Sequence, residues 1–308
     1  MRILPLILAL YSLNAFALPR REVVYDSRVG DIKDYRIGDE WGKNRVTKDM
    51  INSESAAFVR AVSATAKMPK GGTGFYLGKF NNEHVLATNH HVCPTRSFCD
   101  GDNISFPVLK KKFKVSGFYI TLPHIDLTLL KIKVKEKDEA ALLAVAKNFS
   151  FHKEVMNGME LLTAGFGVGG NPGEVMMVNQ DSDCKVYSGN AEYRLMADPD
   201  IMNPGSYKAW SFAHSCDISH GDSGSAMVER STGDVVGIVW TGKLPKSKAV
   251  QTSEALIQLL NNPTEAIWEE LAYAVPSSKI QEALKKVTGD RNLHPVTKET
   301  LKALINDP

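Results

Sequence analysis

A serine lies in a tight polar bend in the stretch SHGDSGSAM, which runs from residue 219 to residue 227. Ser223 stands between Asp222 and Gly224, and an apolar segment follows. A serine hydroxyl is a weak nucleophile at neutral pH, so it needs a base, an acid that orients the base, and donors for the oxyanion. Gly221 can adopt the unusual backbone that turns its own amide and that of Ser223 toward one point. These two amides are therefore the predicted oxyanion hole, although GDSGS alone also fits a simple tight turn.

Two earlier segments offer the base and the acid. His90 and His91 stand in LATNHHVC, where an apolar strand ends in small polar residues, which would place an imidazole at a cleft. Asp126 opens the apolar segment PHIDLTLLKI. A carboxylate there would be partly buried and would need a donor such as a histidine N–H. On their own, the two histidines would more often be surface or core residues, and the aspartate would more often be an ordinary strand-start residue. Together with Ser223, one histidine and Asp126 would form a catalytic triad.

Short strands must position these residues. Candidate strands up to residue 135 are SAAFVRAVSA, GTGFYLGKF, HVLATNHHV, ISFPVLKKKFKVSGFYITL and DLTLLKIKV. After a helical linker over 136–147, strands resume with MELLTAGFGV, EVMMVNQDSDCKVY, AWSFAHSC, SAMVER and DVVGIVWTG. Many short strands separated by turn residues predict an all-β barrel or sandwich. The similar size of the two halves favours two six-stranded antiparallel barrels.

The order His, Asp, Ser resembles the chymotrypsin-like serine proteases, and TNHHV resembles the histidine motif of their bacterial secreted branch. That motif selects His91 over His90 as the catalytic residue. DLTLLKI resembles the aspartate strand, GDSGS the serine loop, TAGFG the opening strand of the second barrel, and VVGIVWTG the substrate-binding strand. The resemblance covers about residues 56–286. It implies a peptidase that acts on proteins or peptides and needs no metal or organic cofactor.

The same resemblance suggests a specificity pocket. In trypsin-like members the residue six before the serine is an aspartate at the pocket base, and here that residue is Asp217. Thr241 and Gly242 would line the wall, and cleavage after Arg or Lys would follow. The glutamate-preferring branch has a histidine where this chain has Val239. However, Ser219 replaces a trypsin cysteine, so Asp217 could instead bind a backbone amide.

The resemblance also raises the question of activation. In trypsin, a freshly cut N-terminal amine pairs with the acid beside the serine, here Asp222. REVVYDSRV resembles the mature start of bacterial glutamyl endopeptidases, so cleavage near Arg20 and Arg21 could free such an amine.

Composition excludes several other classes. The chain has 308 residues, 43% of them hydrophobic, and a net charge of +2. That charge gives no reason to expect a nucleic-acid partner.

Met1 to Ala17 has a positive start, a short apolar run and an A-x-A site, which predicts a signal peptide and a secreted or periplasmic protein. A buried N-terminal helix is the alternative. After the signal peptide is removed, we expect the mature protein to be a monomer that does not contact a membrane.

Four cysteines in an exported chain indicate two disulfides. Three connectivities are possible; Cys93–Cys99 is the simplest local pair, which leaves Cys184–Cys216. A zinc site is the competing interpretation, but C-x5-C is looser than ordinary zinc spacing.

The predicted organisation has four parts after the leader: an arm or pro-segment over 18–55, a first barrel over about 56–135, a second over about 156–288, and a helical tail over 289–308. Residues 243–269 form a partly helical insertion with no counterpart in the family. The rival to a serine endopeptidase is a catalytically silent homologue that only binds, since a fold does not guarantee its chemistry.

Overall fold

The computed structural model describes residues 36–167, 172–198, 208–243 and 246–306. It is built from one closed β-barrel and one larger β-sheet, with helices at the linker and toward the C-terminus. The fold class is therefore the predicted chymotrypsin-like one. The predicted leader over 1–17 lies outside the described residues.

The first barrel closes in the strand order β2-β3-β4-β7-β6-β5. Its strands are β2 (Thr65–Lys67), β3 (Thr73–Phe80), β4 (Glu83–Thr88), β5 (Asn103–Phe106), β6 (Lys111–Leu122) and β7 (Leu127–Lys133). In β7, the sequence LTLLKIK buries five of its seven residues, because β7 lies between β4 and β6. A strand paired on both sides and covered on both faces reads as a nearly continuous apolar run.

The second unit is an eight-stranded sheet in the order β1-β9-β8-β12-β13-β14-β11-β10. Its strands are β1 (Lys43–Arg45), β8 (Leu161–Gly167), β9 (Pro172–Asn179), β10 (Arg194–Ala197), β11 (Lys208–His214), β12 (Ala226–Glu229), β13 (Val235–Gly242) and β14 (Ala272–Pro276). The expected count was six. One of the extra strands, β1, comes from the segment predicted to be an irregular arm, and it pairs with β9 in antiparallel register.

Helices occupy the remaining regular segments. They are α1 (Lys48–Ser53), α2 (Ala56–Ala64), α3 (Arg96–Cys99), α4 (Glu136–Leu143), α5 (Ser253–Asn261), α6 (Ala266–Glu270), α7 (Ser277–Thr288) and α8 (Pro295–Asn306). The linker helix and the helices within the 243–269 insertion agree with the sequence analysis. None of the helices in the described part of the chain is long and apolar enough to cross a membrane.

One predicted strand is wrong. SAAFVRAVSA forms α2, and only the following Thr65–Lys67 is a strand. The Ser55 side chain accepts a hydrogen bond from the Phe58 amide and so caps the helix N-terminus. The segment is also rich in alanine, which has the highest helix propensity. Its apolar side, including Phe58 and Val62, packs into the main core. The short apolar run fits either period, so periodicity did not separate strand from helix.

The main core runs between both units. It joins Phe75 and Leu77 of the first barrel to Phe166, Ile238 and Trp240 of the second sheet. The active cleft described below lies at this junction, so its two sides are fixed by one continuous packed interior rather than by two separate ones.

Candidate active site

The histidine and the aspartate come together because β4 and β7 are neighbours. Thr88, the last residue of β4, is paired with Thr128, the second residue of β7. The residues that follow β4 and precede β7 therefore leave the sheet at the same edge. Asp126 occupies the tight connection before β7, with φ of +40°, a left-handed conformation that aspartate adopts more readily than most residues.

Asp126 holds His91 through two contacts. Its Oδ2 lies 2.7 Å from His91 Nδ1, and its Oδ1 accepts a hydrogen bond from the His91 backbone amide at 3.0 Å. The carboxylate is fully buried, whereas the His91 side chain is 18% exposed. A buried carboxylate on Nδ1 keeps the proton on that nitrogen, so Nε2 is left as the basic atom facing outward.

His90 points elsewhere. Its Nδ1 lies 2.6 Å from the Thr121 hydroxyl, which in turn lies 2.7 Å from that of Thr128. Burial lowers the pKa of His90, with Asp126 acting in the opposite direction. The choice of His91 over His90 therefore agrees with the contacts to Asp126.

The serine loop is fixed by contacts with the first barrel. Thr73 donates its amide to the Ser223 carbonyl at 2.8 Å and its hydroxyl to the Gly221 carbonyl at 2.7 Å. Gly224 has φ of +89°, and a β-carbon there would lie 2.1 Å from the Thr73 carbonyl oxygen. Only glycine therefore allows the approach that joins the serine loop to β3.

Two amides of this loop remain available. The amides of Asp222, Gly224 and Ser225 donate to backbone carbonyls of Ser219, Val239 and Asp222 respectively. The amides of Gly221 and Ser223 have no acceptor within the described residues. Gly221 has φ of +108°, which agrees with the backbone freedom expected of it.

His91 and Ser223 line one cleft, together with Ile218, Ser219, His220, Val239 and Trp240. The Ser223 hydroxyl lies 3.5 Å from the Trp240 carbonyl oxygen, which is the edge of hydrogen-bond range. No hydrogen bond joins Ser223 to His91 in the described part of the chain. Such contacts are often long before substrate binds and tighten in the complex.

Asp217 is placed differently from the expectation. It is 1% exposed and does not line the cleft; its two oxygens accept the backbone amides of Ile37 and Gly42, each at 2.6 Å. Burial raises the pKa of Asp217 to about 7, against the two amide bonds, which lower it. The carboxylate therefore faces the N-terminal segment and binds backbone amides, which is the alternative that the sequence analysis left open for it.

A different acid lines the cleft. Asp198 follows β10 and accepts a hydrogen bond from the Thr241 hydroxyl at 2.7 Å. Thr241 and Gly242, which were expected to form the wall of the specificity pocket, line the same cleft. The sequence analysis missed Asp198. The only signal was an acidic residue directly before Pro199, and it did not identify the strand that brings it to Thr241.

The sequence analysis also missed the cation beside the serine loop. Lys43 Nζ lies 2.5 Å from Asp222 Oδ2, and both side chains are nearly inaccessible to solvent.

In the region the structure describes, no cluster of histidine, cysteine, aspartate and glutamate could hold a metal ion.

Both predicted disulfides are present, Cys93–Cys99 and Cys184–Cys216. Cys93 lies two residues after His91, and its carbonyl accepts the Thr128 hydroxyl at 2.9 Å. Cys216 lies at the start of the segment that leads to Ser223. Each bridge therefore ties down one approach to the cleft.

A family model described as a trypsin-like peptidase domain matches residues 72–238, more than half of the chain. No curated protein sequence matches the chain significantly.

Among solved structures, an inactive mutant form of Rv3671c from M. tuberculosis H37Rv is similar, with a TM-score of 0.49 and 14% identity over 82% of this chain and 99% of that one. The active form of Rv3671c gives 0.47 and 15%, over 82% and 92%. The HtrA-type protease AlgW with a tripeptide gives 0.45 and 18%, over 75% and 62%. On the family match, this chain belongs to the trypsin-like peptidases and is a serine protease.

Proposed function

We propose that this protein is an exported serine endopeptidase that uses His91, Asp126 and Ser223 as its catalytic triad. The observation that carries the proposal is the double contact of Asp126 with His91, at 2.7 and 3.0 Å, beside Ser223 in one cleft. A structural histidine would not need a fully buried carboxylate on Nδ1 and an outward-facing Nε2.

The reaction follows from these positions. The Ser223 hydroxyl turns about its Cα–Cβ bond from the Trp240 carbonyl toward His91 Nε2, which takes its proton as the oxygen attacks the scissile carbonyl. Asp126 stabilises the imidazolium that results. The tetrahedral intermediate then collapses, His91 gives the proton to the leaving amine, and an acyl group stays on Ser223. Water, activated by His91, hydrolyses that ester and restores the enzyme.

The Gly221 and Ser223 amides are the proposed oxyanion donors. Their lack of any acceptor within the described residues supports this role, since buried amides otherwise find partners. One such donor typically contributes a factor of roughly 10²–10³ to kcat.

We propose that the enzyme prefers Arg or Lys before the scissile bond, and that Asp198, rather than Asp217, supplies the negative charge. Asp198 lines the cleft with Thr241 and Gly242, and it is the only carboxylate among the described cleft residues. A carboxylate in a shielded pocket favours a cationic side chain strongly, most of all a guanidinium that can bind it with two hydrogen bonds.

Export is supported by the leader-like residues 1–17 and by the two disulfides, which persist in oxidising compartments. We further propose that the protein acts as a monomer on protein or peptide substrates, since one chain supplies the triad, the oxyanion amides and the cleft.

A fluorophosphonate probe tests the triad. The folded protein should be labelled at Ser223, and Ser223→Ala and His91→Ala should each abolish most labelling and peptide hydrolysis while the melting temperature changes little. An unlabelled wild type would contradict the proposal and favour a homologue that only binds.

A mixed peptide library tests the specificity with a matched pair of variants. Asp198→Asn should lower kcat/KM for Arg and Lys substrates strongly, whereas Asp217→Asn should leave the ranking of substrates unchanged. Cleavage mainly after apolar or acidic residues in the wild type would contradict the assignment of Asp198.

A further inference from the structure

The carboxylate next to the nucleophile sits in a closed socket. Asp222 is 2% exposed. Its Oδ1 accepts the Gly167 amide at 2.9 Å, and its Oδ2 accepts the Ser219 amide at 2.8 Å and the Lys43 ammonium at 2.5 Å. A carboxylate withdrawn from water this completely is stable only with a cation and hydrogen bonds around it. Lys43 is the cation in direct contact.

The socket leaves the carboxylate little room to move. A β-carbon at Gly167 would lie 2.2 Å from Asp222 Oδ2, and one at Gly165 would lie 2.5 Å from Oδ1. Glycine at both positions lets β8 approach the carboxylate closely. The side chain is therefore held in one place, and the backbone of Asp222 is held with it.

The position of Asp222 determines the shape of the serine loop. The Asp222 carboxylate accepts the Ser219 amide, and the Asp222 amide donates to the Ser219 carbonyl. These two hydrogen bonds close the bend that contains Gly221. The two proposed oxyanion donors, the amides of Gly221 and Ser223, lie on either side of Asp222 in the chain. If the carboxylate left its socket, both amides would change direction.

Lys43 is itself tightly held. It begins β1, which pairs with β9, and its Nζ also donates to the Gly167 carbonyl at 2.5 Å. The segment before it is anchored by the other buried acid of the region, because Asp217 accepts the amides of Ile37 and Gly42. The N-terminal segment thus delivers a fixed ammonium group to the serine loop.

We infer that Lys43 is a positioning residue for catalysis: its side chain supplies the cation that holds Asp222, and with it the oxyanion amides, so that the protease becomes active without a newly cut N-terminal amine. This inference rests on the proposed function. It differs from the interpretation that an amine freed by cleavage near Arg20 and Arg21 pairs with Asp222, because the Lys43 ammonium already contacts that carboxylate.

The decisive measurement compares Lys43→Met and Lys43→Arg with the wild type, using kcat, KM and the rate of labelling by a fluorophosphonate. Lys43→Met should lower kcat by roughly 10²–10³-fold, the effect of losing an oxyanion donor, with a much smaller change in KM. Lys43→Arg keeps the charge and should recover a large part of kcat. Lys67→Met is the matched control, since Lys67 also forms an ion pair, but with the exposed Glu174 rather than with Asp222. Its kcat should equal that of the wild type.

Lys43→Met leaves the buried Asp222 carboxylate without its cation, which can prevent folding. The double variant Lys43→Met with Asp222→Asn removes both charges and should fold, with kcat still reduced by at least 10²-fold. A wild-type kcat in either variant would overturn the inference.

The activation claim is tested separately, with a chain whose Arg20 and Arg21 are both replaced by Gln and whose N-terminal amine is acetylated. It should hydrolyse peptides as fast as the unmodified chain. Activity that appears only after a cut between residues 18 and 35, beyond the removal of the leader, would refute the claim. A wild type that is never labelled by the probe would instead contradict the proposed function, so the two failures are distinguishable.

Discussion

The two sides of the cleft are built in different ways. The His91–Asp126 side comes from one barrel, from two paired strands whose ends meet at one edge. The Ser223 side depends on residues far along the chain: Thr73 from the other barrel, and Lys43, which is 179 residues from Asp222. The base and acid are therefore a local product of strand pairing, whereas the nucleophile loop takes its shape only when the N-terminal segment and both units have assembled.

The largest expected effect comes from the local side. Asp126→Asn should lower kcat by roughly 10⁴-fold, because an amide on Nδ1 no longer fixes the tautomer that leaves Nε2 basic. The variant should fold, and steady-state kinetics on a peptide ester measure the loss. Asp138→Asn, in the linker helix α4 and paired with Lys111 of the same barrel, is the control and should keep full activity. A loss below 10-fold for Asp126→Asn would mean that Asp126 does not orient the base.

The second sheet, on the distant side, contains a fully buried histidine, His214 in β11, whose protonation opposes folding. Burial, together with the nearby positive charge of Lys246, lowers the pKa of His214 to about 3. The folded state therefore keeps His214 neutral, while the unfolded chain binds a proton below about pH 6.5. Stability from this group is complete above pH 6.5 and is lost as the pH falls toward 3, by several kcal/mol over that window.

Urea unfolding at pH 7 and pH 4 measures this loss. His214→Phe should show a smaller difference in unfolding free energy between the two pH values than the wild type. An equal difference in both proteins would show that other groups cause the acid sensitivity.

The disulfides should separate stability from activity. Loop closure predicts about 3.5 kcal/mol from Cys184–Cys216 and about 2.4 kcal/mol from Cys93–Cys99. Replacing the first pair by serines should therefore lower the unfolding free energy more than replacing the second. Because Cys93 lies two residues after His91, we expect loss of the Cys93–Cys99 bridge to lower kcat, even though it lowers the unfolding free energy less than loss of Cys184–Cys216. Equal stability losses would argue against the loop-length account.

The smallest effect is expected at the neighbouring histidine. His90→Ala removes the contact with Thr121 and leaves both contacts between His91 and Asp126 in place. We expect kcat to fall less than about 10-fold, because His90 touches no reacting atom. A loss as large as that of His91→Ala would show that the wrong histidine has been assigned.

The comparison also explains what sequence could predict. Strand periodicity and turn residues predict an all-β barrel or sandwich, and the even cysteine count predicts two disulfides. The chymotrypsin-like fold and the choice of His91 as the partner of Asp126 come from the resemblance of TNHHV, DLTLLKI and GDSGS to the family's motifs. Lys43 looks like one lysine among many in a charged segment, and nothing near it indicates a buried ion pair. Asp198 and Asp217 show the same limit, since which of two acids faces the cleft depends on the path of a loop.

The strand–helix error at 55–64 has a different cause. AAFVRAVSA is apolar enough for either element, and the capping contact of Ser55 with Phe58 decides it. A cap is a local signal that the sequence does contain, so this error was avoidable in a way that the missed Lys43 was not.

Each described end of the chain packs against the unit that is formed mainly by the other half of the sequence. Strand β1, near the start, belongs to the second sheet, whereas α8, near the end, packs toward β3 of the first barrel, with Leu301 and Leu304 in the main core. Each unit is thus covered in part by a segment from the opposite end of the described chain. The first barrel closes through its own six strands, but α8 from the far end of the chain packs against it. Lys43 of β1 reaches Asp222 from the other direction, so we expect the serine loop to take its final shape only when a segment near the start of the chain has docked on a sheet made mostly of later residues.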